Sequence, residues 1–463
     1  MDDSLQKLIS LGLRAPSILL PESADARKWA VIACDQYTQD RGFWEKAREA
    51  ALNSPSTLNL IFPEIFLSDA DVKSRIENIH LTMERYLKED VFYSPGRGFI
   101  YIERDTPFHK KRRGLVAAVD LEKYEWAPLS RPLIRASEGT VPDRLPPRMD
   151  IRRGAALELP HILLLIDDDK DSLLFSLEDL AKKNAPLYDA PLMMDAGRVA
   201  GWFLGAEEDG LPSRAADLIA EKLDALKTRS VSRYGPEKDA FLFAVGDGNH
   251  SLAAAKGIWE EIKAANGSAL LNDPRRYALV EIENIYDPAI QFEPIHRLVF
   301  DADFDAVVSL LSGLPDFSLS SARSIEELIE RLRAKGLRSR YLRNEFLRDD
   351  PASNYFGVIS NNRYALIETS ATGIAAALLQ PLLDNASLDG KPLSIDYIHD
   401  ENELLRLAVS PEKRAVGILL PPAQKSGLFE TVARFGPLPR KSFSMGHSME
   451  KRFYFECRKL TLS

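Results

Sequence analysis

One turn constrains the fold of this chain more than any other feature, because an apolar run stops there and a helical pattern begins at once. The sequence reads FAVGDGNHSLAAAKGIWEEI over residues 243–262. The short apolar run predicts a buried strand, and the apolar spacing after it predicts a helix over 251–265. Glycine tolerates a positive φ angle, so Gly246 and Gly248 let the chain turn sharply between the two elements. The pattern therefore predicts a strand–turn–helix unit with polar residues at its turn.

The polar residues of this turn form a candidate site. Asn249 or Ser251 can cap the helix, whose first N–H groups have no carbonyl partner within the helix and so attract an anion. Asp247 can hold a metal ion or take a proton from a hydroxyl group, and His250 can contact phosphate. Positioning and charge neutralisation supply most of the catalysis of phosphoryl transfer, so these groups suit that reaction. The same residues are common in turns and caps, which leaves a purely structural turn as the alternative.

Short strands and helices alternate along the whole chain, which predicts a mixed α/β fold of several domains. The length of 463 residues exceeds what one ordinary hydrophobic core supports. We divide the chain into an N-terminal α/β region (1–126), a central region (127–300) and a C-terminal α/β domain (301–463). Buried strands are predicted at 29–37 and at 451–457. Strands 98–106 and 113–126, joined by a basic turn, predict a hairpin, and strands YFGVIS and YALIET are predicted around the turn NNR. Helices are predicted at 42–53, 69–92, 172–185, 211–234, 303–312, 324–335 and 374–386.

Residues 127–160 are rich in both proline and arginine. The prolines exclude a long helix, and long loops inside compact domains usually carry function, so we expect an ordered loop that crosses a site. Its middle brings together Arg135, Glu138, Thr140 and Arg144. Arginine binds phosphate or carboxylate through paired hydrogen bonds, and Glu138 can act as a base toward a hydroxyl group. The alternative is a surface loop with internal ion pairs of little energetic weight.

Charge and cysteine content exclude several classes of function. The formal net charge is −9 and the isoelectric point is near 5.5, which argues against nucleic acid or an anionic membrane as a partner. The two cysteines, Cys34 and Cys457, form neither a disulfide framework nor a zinc motif, and suit a reducing compartment. No apolar run approaches the roughly 20 residues of a membrane helix. We therefore expect a soluble cytoplasmic protein.

Further candidates lie outside the turn and the loop. His296 and Arg297 stand just before an apolar segment, where a structural histidine is the alternative to a binding one. The remaining candidates lie near the two ends of the chain: Asp35, Gln36, Ser444, Gly446 and His447. The common phosphate-binding loop, the protein-kinase catalytic loop and the serine-hydrolase and zinc-protease motifs are absent.

Four stretches together resemble one bacterial family, the domain of unknown function family 1015. They are KWAVIACDQYT near the start, IRASEGTVPDR, PHILLLIDD and VGDGNHSLAAAK. The resemblance extends from about Pro16 to SFSMGHSMEKRFYFE near the end of the chain. Membership of a family with this name implies no particular activity.

Many members of that family carry Asp-Gly-His-His-Arg at this turn, which is similar to the signature of free-serine kinases in the ParB/sulfiredoxin-like superfamily. There the aspartate and histidines serve catalysis, and the arginine grips a nucleotide phosphate. Asp247, Gly248 and His250 match that signature, whereas Asn249 replaces the first histidine and Ser251 replaces the arginine. Either another cation substitutes or the phosphate function is altered. The candidate cations are Arg135, Arg144, Lys256 and Arg297.

With this resemblance, the sequence predicts phosphoryl transfer from ATP or ADP to the hydroxyl of a small amino-acid-like metabolite such as serine. The predicted catalytic residues are Asp247, which would also hold Mg²⁺, His250 and Glu138. The residues predicted to bind phosphate or substrate are Gly248, Asn249, Ser251, Arg135, Thr140, Arg144, His296 and Arg297. The alternatives are a non-catalytic nucleotide- or metabolite-binding regulator and a phosphate-ester hydrolase. The expected partners are a nucleotide and a small-molecule substrate, with neither nucleic acid nor a membrane.

Overall fold

The computed structural model describes most of the chain, and its residues form two compact units. The described residues are 3–22, 25–128, 130–208, 210–235, 240–266, 272–341, 354–388, 390–410 and 414–461. The first unit comprises Met1–Gln291 and Gly446–Ser463, and the second comprises Phe292–Met445. The boundary predicted between residues 126 and 127 lies inside the first unit, and the one predicted at 300/301 lies inside the second. Both stay predictions about folding units.

The helices and strands follow one another in a mixed order along both units. The helices are α1 (Asp3–Ser10), α2 (Ala26–Trp29), α3 (Arg41–Ala50), α4 (Val72–Lys88), α5 (Leu145–Arg152), α6 (Ser172–Ala181), α7 (Arg214–Tyr234), α8 (Asn249–Asn266), α9 (Phe304–Leu311), α10 (Ile325–Tyr341), α11 (Ala375–Asp384), α12 (Glu401–Ala408) and α13 (Ser426–Phe435). The strands that precede the second unit in the sequence are β1 (Leu13–Arg14), β2 (Ser17–Pro21), β3 (Phe92–Asp105), β4 (Arg112–Asp120), β5 (Tyr124–Glu125), β6 (Ile134–Ala136), β7 (Leu157–Glu158), β8 (Leu163–Ile166), β9 (Tyr188–Pro191), β10 (Arg198–Gly205), β11 (Glu207–Glu208), β12 (Leu211–Pro212), β13 (Phe243–Asp247) and β14 (Tyr277–Asn284). The later strands are β15 (Phe292–Pro294), β16 (His296–Phe300), β17 (Ser318–Ala322), β18 (Asn354–Ser360), β19 (Arg363–Thr369), β20 (Ser387–Leu388), β21 (Lys391–Pro392), β22 (Ser394–Ile398), β23 (Ala415–Leu419), β24 (Phe443–Met445) and β25 (Arg458–Lys459). This confirms the predicted mixed α/β class.

An eleven-stranded sheet forms the centre of the first unit. Its strand order is β5-β6-β13-β8-β14-β4-β3-β10-β9, with β1 on β4 and β2 on β3. The pairs β5–β6, β6–β13 and β8–β14 are parallel, and the other neighbours are antiparallel. The predicted hairpin of two strands joined by a basic turn is confirmed as β3 and β4, paired from Ile100↔Val116 to Arg104↔Arg112. Strand β13 therefore lies near one edge of the sheet, between β6 and β8.

Both faces of this sheet are covered, and the alternation of side chains along each strand shows how. On β3, Phe99 and Tyr101 join one buried apolar cluster, whereas Ile100 and Ile102 join another. Successive side chains of a strand point to opposite faces, so the two clusters lie on the two sides of the sheet. Residues of α1, α6, α7 and α8 contribute to the first cluster, and residues of α2, α3 and α4 to the second. The central strands are consequently buried on both faces.

Two predicted strands are wrong. Of the predicted strand 29–37, the first residue ends α2, and the rest meets the predicted strand 451–457 at one isolated bridge, Ile32↔Phe453. Two hydrogen bonds form that bridge, Ala33 N–H to the Arg452 carbonyl and Tyr454 N–H to the Val31 carbonyl. The apolar residues are buried as predicted, but their backbone pairs at too few positions to make a ladder. The apolar content of these two segments predicted their burial correctly but not their backbone pairing.

The proline-rich stretch also contains a short helix. Helix α5 begins at Leu145, with two prolines in its first turn. Proline is tolerated there because an N–H group at the start of a helix has no intrahelical partner to lose. Helix α7 begins at Arg214 rather than at the predicted residue 211, because the Ser213 hydroxyl caps the helix by accepting from Ala216 N–H.

The second unit is built on a six-stranded antiparallel sheet of order β17-β19-β18-β23-β16-β22. The predicted strands around the turn at residues 361–362 are confirmed as β18 and β19. Helices α10 and α12 pack on one face, over an apolar cluster that includes Leu298, Leu328 and Leu404. Within the described ranges of the chain, every helix is too short or too polar to cross a bilayer.

Candidate functional site

The turn after β13 has the geometry that its glycine suggests. Gly248 has a φ angle of +81°, and a Cβ atom placed on it would lie 3.1 Å from the Cα of Ile162. Its N–H group donates to Oδ1 of Asp247 at 3.0 Å, and its carbonyl accepts the first helical bond, from Leu252 N–H at 3.0 Å. Helix α8 begins directly afterwards at Asn249. The N–H groups that precede Leu252 therefore have no carbonyl within the helix and make its N-terminus attractive to anions.

The proline-rich loop lies against this turn. The backbone N–H of Val141 donates to Nε2 of His250 at 3.2 Å, and Nδ2 of Asn249 lies 3.5 Å from Oγ of Ser137. Parallel pairing of β6 with β13 accounts for the approach, because both strands end at the same edge and the loop continues from β6. Nε2 of His250 accepts a hydrogen bond, so the ring proton of the neutral imidazole is on Nδ1. His250 thus fixes the loop to the start of α8.

A lysine from the end of the chain reaches the same carboxylate. Nζ of Lys451 lies 3.2 Å from Oδ2 of Asp247. The lysine side chain is 7% exposed and that of the aspartate 20% exposed, so the pair is largely buried but open to solvent on the aspartate side. Asp247 therefore lies at the carboxyl end of β13 with a cation beside it.

Buried arginines hold the backbone that carries this lysine. Nη1 of Arg112 donates to the Glu450 carbonyl at 3.0 Å, and Nη1 of Arg104 donates to the Lys451 carbonyl at 3.3 Å. Both arginines also pair with Glu283 of β14, which is fully buried. Breaking such a buried pair leaves an uncompensated charge, so the arrangement resists displacement. The network fixes Lys451 relative to the sheet from which Asp247 projects.

A histidine bonds to the serine at the start of α8. Nε2 of His161 lies 2.8 Å from Oγ of Ser251, and its Nδ1 lies 3.0 Å from the hydroxyl of Tyr454. Burial lowers the pKa of His161, against the opposing attraction of the Asp35 and Asp247 carboxylates. The ring is therefore neutral at pH 7. Ser251, at the position of the missing arginine, is held by a side chain 90 residues away in the sequence.

A second carboxylate, Glu64, is linked through Cys34 to Tyr454, the partner of His161. Glu64 forms an ion pair with Arg148 of α5, and its backbone N–H donates to the Cys34 carbonyl. Burial raises the pKa of Glu64, and the Asp35 carboxylate adds to the rise, while Arg148 and Arg144 oppose it. Asp35 itself accepts from the Gln36 side chain at 3.0 Å. The carboxylate of Asp35, a candidate site residue from the sequence, thus interacts electrostatically with both Glu64 and His161.

The four candidate residues of the proline-rich loop differ in their burial and in their contacts. Arg135 is buried, its Nε donates to the Pro132 carbonyl and its guanidinium lies over the Phe241 ring, 4.6 Å from the centroid. It is therefore directed toward the start of β13, whereas Asp247 ends that strand. Arg144 is exposed, and Glu138 and Thr140 are half-buried, with Oγ1 of Thr140 lacking a hydrogen-bond partner among the described residues. Their roles in the site stay predictions.

The other candidate cations are engaged in interior contacts. Nζ of Lys256 donates to the Leu121 carbonyl at 3.0 Å and pairs with Glu260 at 2.8 Å. Arg297 lies in the second unit, where Nε donates to Oε1 of Gln380 at 2.8 Å and Nη2 to the Lys441 carbonyl at 3.0 Å. These bonds satisfy much of the arginine fork. Lys451, which the sequence did not suggest, is instead the cation that pairs with Asp247.

His296 and the residues near the C-terminus have contacts of their own. Nδ1 of His296 accepts from Leu420 N–H at 3.1 Å, and burial lowers its pKa to about 4. The backbone N–H of His447 bonds to Oε2 of Glu450 at 3.0 Å, and Gly446 has a φ angle of +69°. Ser444 lies on β24, in the second unit. These positions describe a buried histidine and a tight turn.

Metal binding at the turn depends on one carboxylate. Among the residues that the structure describes, no three His, Cys, Asp or Glu side chains converge on a point that could hold a metal ion. Mg²⁺ is commonly bound by one or two carboxylates together with substrate phosphates, so a converging group is not required. Asp247 is the one predicted metal ligand, and its Oδ2 is already paired with Lys451.

The family is settled by a family model. The model described as a protein of unknown function (DUF1015) matches residues 19–386. The chain belongs to the DUF1015 family. The matched range includes the turn, the loop and His161 of this DUF1015 protein, whereas Lys451 and Tyr454 lie beyond it. No curated protein matches the sequence.

Several solved structures are similar to this DUF1015 chain at low identity. A conserved hypothetical protein from Pyrococcus furiosus is 12% identical, with a TM-score of 0.33, over 74% of this chain and 94% of that one. Free serine kinase in complex with AMP is 13% identical, with a TM-score of 0.35, over 77% and 95%. SbnI with a C-terminal truncation, from Staphylococcus aureus, is 11% identical, with a TM-score of 0.31, over 74% and 82%. Likeness at this level does not decide function, which depends on this chain's own geometry.

Sequence reasoning missed Lys451, His161, Tyr454 and Glu64. His161 and Lys451 both lie in stretches that carry the family resemblance, PHILLLIDD and SMEKRFYFE. Neither stretch pairs them with the turn, because His161 lies 90 residues from Ser251 in the sequence and Lys451 lies even farther from Asp247. A polar residue beside or inside an apolar run was the available signal, since a buried polar group needs a partner.

Proposed function

We propose that this protein transfers a phosphoryl group from a nucleotide to the hydroxyl of a small amino-acid-like metabolite. The observation that carries the proposal is the Lys451–Asp247 pair at the N-terminus of α8. It places a carboxylate, an ammonium and the positive end of an 18-residue helix at one edge of the sheet. Phosphoryl transfer depends chiefly on positioning and on neutralising charge, and these groups supply both.

The groups at the turn have distinct roles in this proposal, and Asp247 has two. The first-turn N–H groups of α8 and the Ser251 hydroxyl bind phosphate oxygens. Lys451 neutralises charge next to the transferred group, in the place of the arginine that Ser251 replaces. Asp247 accepts the proton of the acceptor hydroxyl, since each of its oxygens keeps a lone pair beyond the bonds to Gly248 and Lys451. His250 holds the 137–141 loop over the turn.

The cofactors of this proposal are ATP or ADP and Mg²⁺. Mg²⁺ arriving with the nucleotide neutralises charge on the phosphates, and Asp247 is the carboxylate available to it. Glu138 and Arg144 remain candidates for contact with the substrate, because the loop that carries them touches the turn at Val141 and Ser137. The test therefore supplies nucleotide, Mg²⁺ and a set of acceptors together.

The experiment uses the full chain with ATP labelled on its terminal phosphate, Mg²⁺ and two acceptor sets. One set holds hydroxy amino acids, and the other holds hydroxy acids and polyols without an amino group. Products are separated by thin-layer chromatography. We expect labelled phosphoester with the first set, and we expect Asp247→Asn to lower the rate at least about a hundredfold.

Asp189→Asn is the matched control. Asp189 lies on β9, at the opposite edge of the same sheet, and pairs with Arg198 at the surface. Its replacement should leave the transfer rate unchanged. Release of inorganic phosphate without a phosphoester would instead identify a hydrolase. Nucleotide binding with neither product would identify a regulator and refute the proposed transfer.

A further inference from the structure

The Ser251 hydroxyl and the His161 ring have the arrangement of a nucleophile and its base. Oγ of Ser251 and Nε2 of His161 are 2.8 Å apart. A base within hydrogen-bond reach of a hydroxyl, itself oriented by a third group, is the general pattern of activated nucleophiles. Here the third group is the Tyr454 hydroxyl, 3.0 Å from Nδ1. The three side chains come from α8, from the segment before β8 and from the C-terminal segment.

The ring is in the form that a base requires. Burial keeps His161 neutral, because desolvation disfavours its charged state. The Tyr454 hydroxyl also accepts from Cys34 N–H at 3.2 Å, which fixes its position. The tautomer with its proton on Nδ1 donates to Tyr454, and its Nε2 then accepts the proton of Ser251.

The surroundings of Ser251 suit a phosphoryl group. Ser251 is the third residue of α8, so its hydroxyl lies within the first turn, where the helix dipole favours negative charge. The buried ammonium of Lys451 lies 3.2 Å from Asp247, at the turn that leads into α8. Ser251 and His161 are both only partly buried, so a ligand can reach them.

We propose that Ser251 takes the phosphoryl group first, as a covalent phosphoserine, before the group passes to the small acceptor. This rests on the proposed phosphoryl chemistry of the site. Oγ of Ser251 attacks the terminal phosphorus of a nucleoside triphosphate, the bond from that phosphorus to the bridging oxygen breaks, and the nucleoside diphosphate leaves with the electron pair. The proton of Ser251 moves to Nε2 of His161. In the second step the acceptor hydroxyl attacks the phosphorus of the phosphoserine and gives its proton to Asp247. The bond from phosphorus to Oγ of Ser251 breaks, and Oγ recovers its proton from His161.

A serine that merely caps a helix would not become phosphorylated, which makes the proposal testable. The full chain is incubated with ATP or with acetyl phosphate in the absence of an acceptor, so that a covalent form accumulates. Intact-mass spectrometry then measures the gain of one phosphoryl group, and peptide mapping locates it. We expect one group, on Ser251, and its loss when the hydroxy amino acid acceptors are added.

Matched variants separate chemistry from folding. Ser251→Ala should abolish the label and His161→Asn should slow it at least about a hundredfold. The controls are Ser176→Ala, a helical serine whose hydroxyl donates to the Ser172 carbonyl, and His80→Asn, whose ring bonds the Ile151 carbonyl. Both should label like the wild type. If His161→Asn does not fold, His161→Gln replaces it in the labelling experiment. The thermal midpoint of each variant shows whether it is folded.

The outcomes distinguish this proposal from the proposed function. Label on Ser251 without transfer to a small acceptor supports the covalent step and refutes the acceptor. Transfer that persists in Ser251→Ala supports the function and overturns the covalent step. Absence of label with both donors, or label on another residue, also overturns it.

Discussion

Lys451 and Asp247 form an ion pair at 3.2 Å that joins the end of the chain to the turn after β13. The lysine is the more deeply buried partner, and Arg104 and Arg112 hold its carbonyl and that of the preceding Glu450. A buried ammonium needs a partner of opposite charge, which the Asp247 carboxylate supplies. The pair therefore contributes to stability as well as to the charge of the candidate site.

Lys451→Met should destabilise the first unit, because it leaves the Asp247 carboxylate without its cation. The expected loss is about 1–3 kcal/mol in the free energy of unfolding, measured with urea. Asp247→Asn in the same protein should recover part of that loss, since the two residues are in contact and their effects are not additive. Lys263→Met, which removes a more exposed pair with Glu122, should cost less than about 1 kcal/mol. Strictly additive losses for Lys451 and Asp247 would contradict the pairing.

Gly248→Ala should destabilise the protein more than Gly210→Ala. Both glycines have left-handed backbone, with φ angles of +81° and +78°, so alanine is strained at each. A Cβ atom at Gly248 meets the Ile162 backbone at 3.1 Å, whereas one at Gly210 meets nothing within 4 Å. The difference between the two variants should be about 1–3 kcal/mol in the free energy of unfolding, the usual cost of overpacking. Equal losses would show that Ile162 moves aside freely.

His250→Ala should loosen the loop that lies on the turn. It removes the acceptor of Val141 N–H, a bond worth about 1 kcal/mol, so hydrogen exchange of the 137–141 segment should become roughly fivefold faster. His250→Gln offers a replacement acceptor and should exchange more slowly than His250→Ala. His80→Ala, in the same unit, is the control and should leave this segment unchanged. The measurement is mass spectrometry of the exchanging peptides.

The stability of the second unit should depend on the protonation of His296. Burial lowers the pKa of this ring from 6.5 to about 4, and its Nδ1 accepts from Leu420 N–H. The folded state thus binds the proton less readily than the unfolded state does. This contribution to stability is complete above pH 6.5 and is lost as the pH falls toward 4. It amounts to about 3 kcal/mol.

Urea unfolding of the wild type and of His296→Gln, near pH 7 and near pH 4.5, measures this contribution. The stability of the wild type should fall more on acidification than that of the variant, in which no proton is taken up at this position. Parallel losses in the two proteins would show that the ring does not carry the effect. Carboxylates titrate in both proteins, so the effect of His296 is the difference between their two losses of stability.

Local patterns in the sequence were sufficient for the strand–turn–helix unit and for the mixed α/β class. The apolar run before Gly246, the glycine at 248 and the apolar spacing after it each act within a few residues, so no distant partner is needed to predict them. The hairpin of β3 and β4 was predicted for the same reason. Residues 29–37 and 451–457 failed because apolar content measures burial, and a buried segment can lack a strand ladder.

What the sequence determined by itself was the turn, with Asp247, Gly248 and His250 at the start of a helix. Only the tertiary structure decided which side chains surround it: Lys451 at Asp247 and His161 at Ser251. The reason is physical, because the backbone conformation of a turn is set by its own residues. The partner of a charge or a hydroxyl is instead set by which distant segments the sheet and its buried arginine–glutamate pairs bring within 3 Å or so.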